Sequence, residues 1–126
     1  MFSENDQHVV LIRKNKPQWQ AGKLNGVGGH IEGEEYPLNA MIREFEEETG
    51  VTHREWEWFA QLKGSDANVF VYRAFSPKFV NVKTTTDEEV NYYFVDTLRV
   101  ETTVPNLKWL IPLALQKGTK FVEASF

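Results

Sequence analysis

Cysteine is absent from this chain, which excludes disulfides and thiol catalysis and leans towards a cytoplasmic location. Runs of lysine or arginine are absent too. With 14 Lys+Arg against 18 Asp+Glu and a net charge of −4, polymeric nucleic acid is not an expected partner, although a small anionic ligand can bind if a metal supplies positive charge. No apolar stretch reaches membrane-spanning length, so no membrane association is expected, and no signal peptide is seen. Internal repeats, low-complexity segments and interdomain linkers are also missing. What remains is 126 residues with 41% hydrophobic and 13% aromatic content, enough for one core and read as a single domain over 1–126.

One spacing stands out: Gly29, Glu35, Arg43, Glu44, Glu47, Glu48 and Gly50, with apolar Phe45 and Val51 between and after them. Seven fixed residue types at set positions arise by chance with a probability of about 10⁻⁸ per starting point. Pro37 suits the first turn of a helix and Gly50 the position just past its end, which predicts a helix from Pro37 to Thr49. Leu38, Met41, Ile42 and Phe45 recur at i, i+3, i+4 and i+7, a stripe for packing on a sheet. Glu44, Glu47 and Glu48 then stand at i, i+3 and i+4 on the other side, where like charges repel and the last two meet the negative end of the helix dipole. A solvated acidic face is the alternative. A hard divalent cation such as Mg²⁺ or Mn²⁺, which takes oxygen ligands together with substrate phosphates, gives the crowding a purpose.

The segment from Gly29 to Val51 resembles the Nudix box without a mismatch. The resemblance implies an α/β Nudix fold and metal-dependent hydrolysis of a phosphoanhydride in a nucleotide. It also implies metal ligation by Glu44, Glu47, Glu48 and the Gly29 carbonyl, and an Arg43 that pairs with Glu35 and orients the glutamates. Family members take their general base either from the box, here Glu44, or from a distal loop. The loop Thr84–Glu89 offers Glu88 first, as metal ligand and catalytic group, then Glu89 and Asp87; a solvated acidic turn is its other reading.

Strands are expected at His8–Ile12, Leu24–Val27 with a continuation at Ile31, Trp56–Lys63, Val69–Phe75 and Val90–Val95. A basic, proline-containing loop runs from Arg13 to Gln20, and a turn covers Ser65, Asp66, Ala67 and Asn68. Leu107, Leu110, Ile111, Ala114 and Leu115 predict a second helix, kinked at Pro112. These elements give a mixed β-sheet sandwiched between α-helices. Only Met1 and Phe2 precede the turn Ser3–Asp6, where Nudix domains have a full strand. An incomplete edge strand is therefore expected, with a homodimer as one way to complete it.

Substrate choice lies outside the box. Gly22–Gly29 resembles the corresponding strand of MutT-type nucleotide-pool sanitisers, and the resemblance implies a purine contact from Asn25, whose other reading is turn closure. Trp109–Lys117 is similar to the last helix of the mammalian sanitisers, and Pro105-Asn106 resembles the place where MutT-type enzymes put a base-reading asparagine, which makes Asn106 either that amide or the helix N-cap. The neighbouring aspartates of the mammalian relatives are missing, with Asn106 and Leu107 in their place. Trp19, Tyr92 and Trp109 are stacking candidates for the base. Lys23 is a permanent cation for phosphate, and His30 one when protonated. The expected activity is cleavage of a (deoxy)nucleoside triphosphate to monophosphate and pyrophosphate, with 8-oxo-dGTP among the substrates considered. ADP-ribose, a nucleotide-sugar or a dinucleoside polyphosphate is the alternative, and a non-catalytic nucleotide-binding module the third reading.

Overall fold

The strand HVVLIR organises the molecule, because its alternating side chains enter two different cores. In the computed structural model, which describes every residue except 66, 119 and 126, this strand is β1, His8–Arg13. Val9 and Leu11 face one way and meet Leu107, Leu110, Ile111 and Ala114 of a helix near the C-terminus. Val10 and Ile12 face the other way and meet Phe45 of the acidic helix, with Val51, Trp56 and Val90. A helix therefore covers each face of β1, as the pattern predicts.

Two three-stranded sheets stand where the sequence predicts one mixed sheet. In the first, β1 lies between β2 (Leu24–Asn25) and β5 (Val90–Phe94), antiparallel to both, with His8 opposite Phe94 and Ile12 opposite Asn25. In the second, β3 (Glu57–Lys63) lies between β4 (Asn68–Arg73), antiparallel, and β6 (Val122–Ser125), parallel. Phe2 joins the sheets: it bridges to Val9 and Phe75, its N–H donates to the Ala74 carbonyl at 2.8 Å, and its carbonyl accepts from Ser76 N–H at 3.0 Å. Met1, Phe2 and Ser3 are buried, and Phe2 provides the link between the two sheets.

Helix α1 spans Pro37–Thr49, with Pro37 in its first turn and Gly50 beyond its end at φ 77°. Its buried stripe differs from the expected one. Leu38 is exposed, Met41 and Ile42 pack at the rim of the core, and Ala40, Phe45 and Thr49 are buried. Thr49 enters the core because its hydroxyl is satisfied by the Phe45 carbonyl at 2.7 Å. Helix α2 spans Leu107–Leu115 and runs through Pro112 for three further residues.

Other boundaries shift. Strand β2 stops at Asn25 because Asn25 turns its side chain onto Gly26 N–H, and Ile31 lies in an exposed loop outside any strand. Trp56 precedes β3 and points its indole N–H at the His53 carbonyl, Asn68 belongs to β4, and Val95 begins a short 3₁₀ turn. Asp66 of the expected turn lies outside the described residues. Among the described residues, no helix is long and apolar enough to cross a membrane.

Buried Arg73 ties the second sheet to α2. Its guanidinium donates to Glu57 at 2.6 Å, to the Ala114 and Gln116 carbonyls at 3.0 and 3.1 Å, and to the Lys117 carbonyl at 3.3 Å. These are carbonyls that the end of a helix leaves without an intrahelical partner.

Candidate active site

Phe45 fixes the rotation of α1, and with that side turned inward Glu44 emerges against Gly29, with Glu47 and Glu48 one turn further along the helix. Arg43 organises them. Its Nε and Nη2 grip the two oxygens of Glu35 at 2.9 Å each, the fork geometry that guanidinium offers a carboxylate. Nη1 donates to Glu44 at 2.8 Å and to Glu47 at 3.2 Å, and Nη2 also reaches the His30 carbonyl at 3.0 Å. Arg43 holds the Glu35 carboxyl at a pKa of about 2, helped by the Glu32 N–H, and the carboxylates raise that of Arg43 in return.

Glu44 and Gly29 are in direct contact. A β-carbon built on Gly29 would overlap the Glu44 carboxyl group. Glu48 differs from its two companions, because it makes no hydrogen bond or ion pair among the described residues. Burial pushes its carboxyl up; Lys14 pulls it down, and Glu44, Glu88 and Glu47 push it up again. The net direction is upward, as expected for a half-buried acid among other acids.

In these side-chain positions no three His, Cys, Asp or Glu residues converge tightly enough to hold a metal ion, among the described residues. Arg43 accounts for part of this by drawing Glu44 and Glu47 to its own nitrogens. The donor chemistry nevertheless suits a hard divalent cation. Three carboxylates share one helix face, one of them lacks a partner, and a backbone segment without a side chain abuts a second.

Glu88 is almost fully buried, with Lys14 Nζ on one carboxylate oxygen at 3.1 Å and Asn15 N–H on the other at 2.6 Å. Burial pushes its carboxyl up, but these donors outweigh that and hold it below the usual range. The other distal candidates lie at the surface: Glu89 stands 3.8 Å from Arg13 across an exposed pair, and Asp87 offers its carbonyl to Asn15. Lys14 was not apparent as a site residue from sequence, since it sits unmarked in the basic loop; only the fold brings it to Glu88.

A separate cavity of about 350 Å³ lies on the α2 side, lined by Trp19, Leu62, Val104, Pro105, Asn106, Trp109, Ala124 and Ser125. It unites three of the candidates for base binding. Asn106 precedes α2 but makes no capping bond, and its Oδ1 is buried without a partner. Asn25 does not line this cavity; it bonds Gln20 at 3.1 Å and Gly26 N–H at 2.8 Å, so its amide closes a turn. Tyr92 packs edge-on against Phe79 and His8, also away from the cavity. Lys23 is half-buried beside β2, and His30 is exposed with its carbonyl held by Arg43.

The sequence pattern of the NUDIX domain family matches residues 1–119. The chain belongs to the NUDIX family. This Nudix chain is similar to the 8-oxo-dGTP diphosphatase of Escherichia coli (strain K12), at 34% identity over 61 residues, which are 48% of this chain and 46% of that relative. The alignment thus spans less than half the length of the curated relative. Solved structures share the fold. A MutT structure from work on Aliivibrio salmonicida and Vibrio cholerae has a TM-score of 0.69 at 17% identity, covering 92% of each chain. A NUDIX hydrolase from Nitrosomonas europaea also has a TM-score of 0.69, at 15% identity, covering 99% of this chain and 74% of its own.

Proposed function

We propose that this Nudix domain is a metal-dependent pyrophosphohydrolase that converts a (deoxy)nucleoside triphosphate and water to nucleoside monophosphate and pyrophosphate. The carboxylate face of α1, locked by Arg43 and pressed on Gly29, carries this reading. Glu44, Glu47, Glu48 and the Gly29 carbonyl are the residues to hold Mg²⁺ or Mn²⁺. When bound, such an ion neutralises phosphate charge and lowers the pKa of a coordinated water. Glu44 is the box residue assigned as general base, and Arg43 keeps its carboxyl in place.

Base selection is assigned to the α2 cavity. Trp19 and Trp109 offer aromatic faces to a base, while the orphaned Oδ1 of Asn106 asks for a ligand N–H. On its Hoogsteen edge an unmodified guanine presents only acceptors, at N7 and O6, whereas an 8-oxoguanine carries hydrogen on N7. The carboxamide can accept from that N–H and donate to O6. This favours 8-oxo-dGTP, in keeping with the activity named for the E. coli relative. Lys23 and His30 are assigned to the phosphates.

A panel of 8-oxo-dGTP, ordinary dNTPs and ADP-ribose assayed with Mg²⁺ tests the proposal. Pyrophosphate release is expected from triphosphates, fastest from 8-oxo-dGTP. Turnover of ADP-ribose alone would overturn it. Glu47→Gln is expected to abolish Mg²⁺-dependent hydrolysis with the fold retained.

A further inference from the structure

The acidic loop before β5 is built as a strut. At one end Lys83 N–H donates to the Thr49 carbonyl at 3.0 Å, and the Thr85 hydroxyl donates to the Glu47 carbonyl, so the loop is pinned to the last turn of α1. At the other end Asn15 Nδ2 donates to the Asp87 carbonyl at 2.8 Å, and Arg13 N–H to the Glu89 carbonyl at 2.8 Å. Between them Glu88 accepts from Lys14 Nζ and from Asn15 N–H. Both oxygens of this buried carboxylate are thus engaged by donors from one turn. To bind a metal through these oxygens it would have to give up the Lys14 ammonium and the Asn15 N–H.

We infer that Glu88 is a positioning residue: it clamps the Lys14–Asn15 turn to the strut, so that the Lys14 ammonium stands beside the carboxylates of α1, where a bound polyphosphate has to lie. This rests on the reading of α1 as the metal-bearing helix. Lys14 has two duties in this arrangement. It neutralises a buried carboxylate and, with substrate bound, adds a fixed cation next to the phosphates.

Glu88→Gln keeps an acceptor for Asn15 N–H but removes the charge that holds Lys14, and Lys14→Met removes the ammonium alone. Three readouts separate positioning from ligation. Amide exchange at Asn15 in the metal-free protein is expected to quicken about tenfold in Glu88→Gln, with thermal melting confirming a folded chain. The Mn²⁺ dissociation constant, measured by paramagnetic resonance of free Mn²⁺, is expected to stay within about twofold of wild type or to tighten. KM for the triphosphate is expected to rise about tenfold with kcat within about threefold, equally in Lys14→Met and in the double variant. A tenfold or greater loss of Mn²⁺ affinity in Glu88→Gln, with amide exchange unchanged, would make Glu88 a ligand and overturn the inference. So would additive effects in the double variant. If the wild-type protein cleaved no triphosphate, the exchange and Mn²⁺ measurements would still decide the role of Glu88.

Discussion

The Glu44 carboxyl lies against the Cα of Gly29 with no room for a β-carbon between them. Gly29→Ala must therefore displace either the loop or the glutamate. Because a misplacement of about 1 Å can cost a reaction about 100-fold, kcat/KM is expected to fall by about that factor. Circular dichroism and the melting temperature should change little, since Gly29 lies in an exposed loop. Near-wild-type turnover would show that the contact does not matter.

Arg43→Lys keeps the charge but not the fork that grips Glu35 while reaching Glu44 and Glu47. Activity is expected to drop about 100-fold, with a retained far-ultraviolet spectrum. Steady-state kinetics at saturating Mg²⁺ would check this, and a lysine variant as active as wild type would contradict it.

The same pair sets an acid limit. Glu35 has a folded pKa of about 2 against an ordinary 4.5, so between those values the unfolded chain binds the extra proton. Its contribution to stability is complete above pH 4.5 and is lost as the pH falls towards 2. Melting temperatures measured from pH 5 to pH 2 should decline more steeply for wild type than for Glu35→Gln. Parallel curves would refute the linkage.

Asn106→Ala removes the orphaned acceptor but breaks no cap, so the usual penalty of about 1 kcal/mol for losing an N-cap should not appear. Discrimination should suffer instead. The ratio of kcat/KM for 8-oxo-dGTP over dGTP is expected to fall about tenfold or more, as when a site loses a group built to pair with its substrate. An unchanged ratio would move base reading elsewhere.

Arg73→Met strips the Ala114, Gln116 and Lys117 carbonyls at the end of α2 of this donor, and that of Ala114 is buried. A loss of about 3 kcal/mol in unfolding free energy is expected, which denaturant titration would measure. Because α2 carries Asn106 and Trp109, KM should rise more than kcat falls.

The acidic helix was legible to its ends because Pro37 and Gly50 punctuate it and Phe45 anchors its inner face. The ion pair between Arg43 and Glu35 was legible as well, through the resemblance of the box. Leu38 misled because periodicity marks a face but not how fully each position on it is covered. The parallel partner β6 passed unnoticed, since four residues beginning at Val122 carry too little alternation to register. Asn25 and Asn106 looked equivalent in sequence. Only tertiary placement separates an amide that bonds its own neighbours from one whose oxygen is left without a donor. Glu88 shows the same limit: an acid before a strand reveals nothing of the basic turn that folds over it.

Strand β1 has a consequence for how this molecule can change over time. Under the proposed assignment its two faces divide chemistry from selection, with α1 and its carboxylates on one side and α2 with the cavity of Trp19, Asn106 and Trp109 on the other. On that assignment, substitutions on the α2 side are expected to retune which base is accepted while the hydrolytic apparatus stays intact. The dividing strand itself has no such latitude, because every residue from Val9 to Ile12 is answerable to one side or the other.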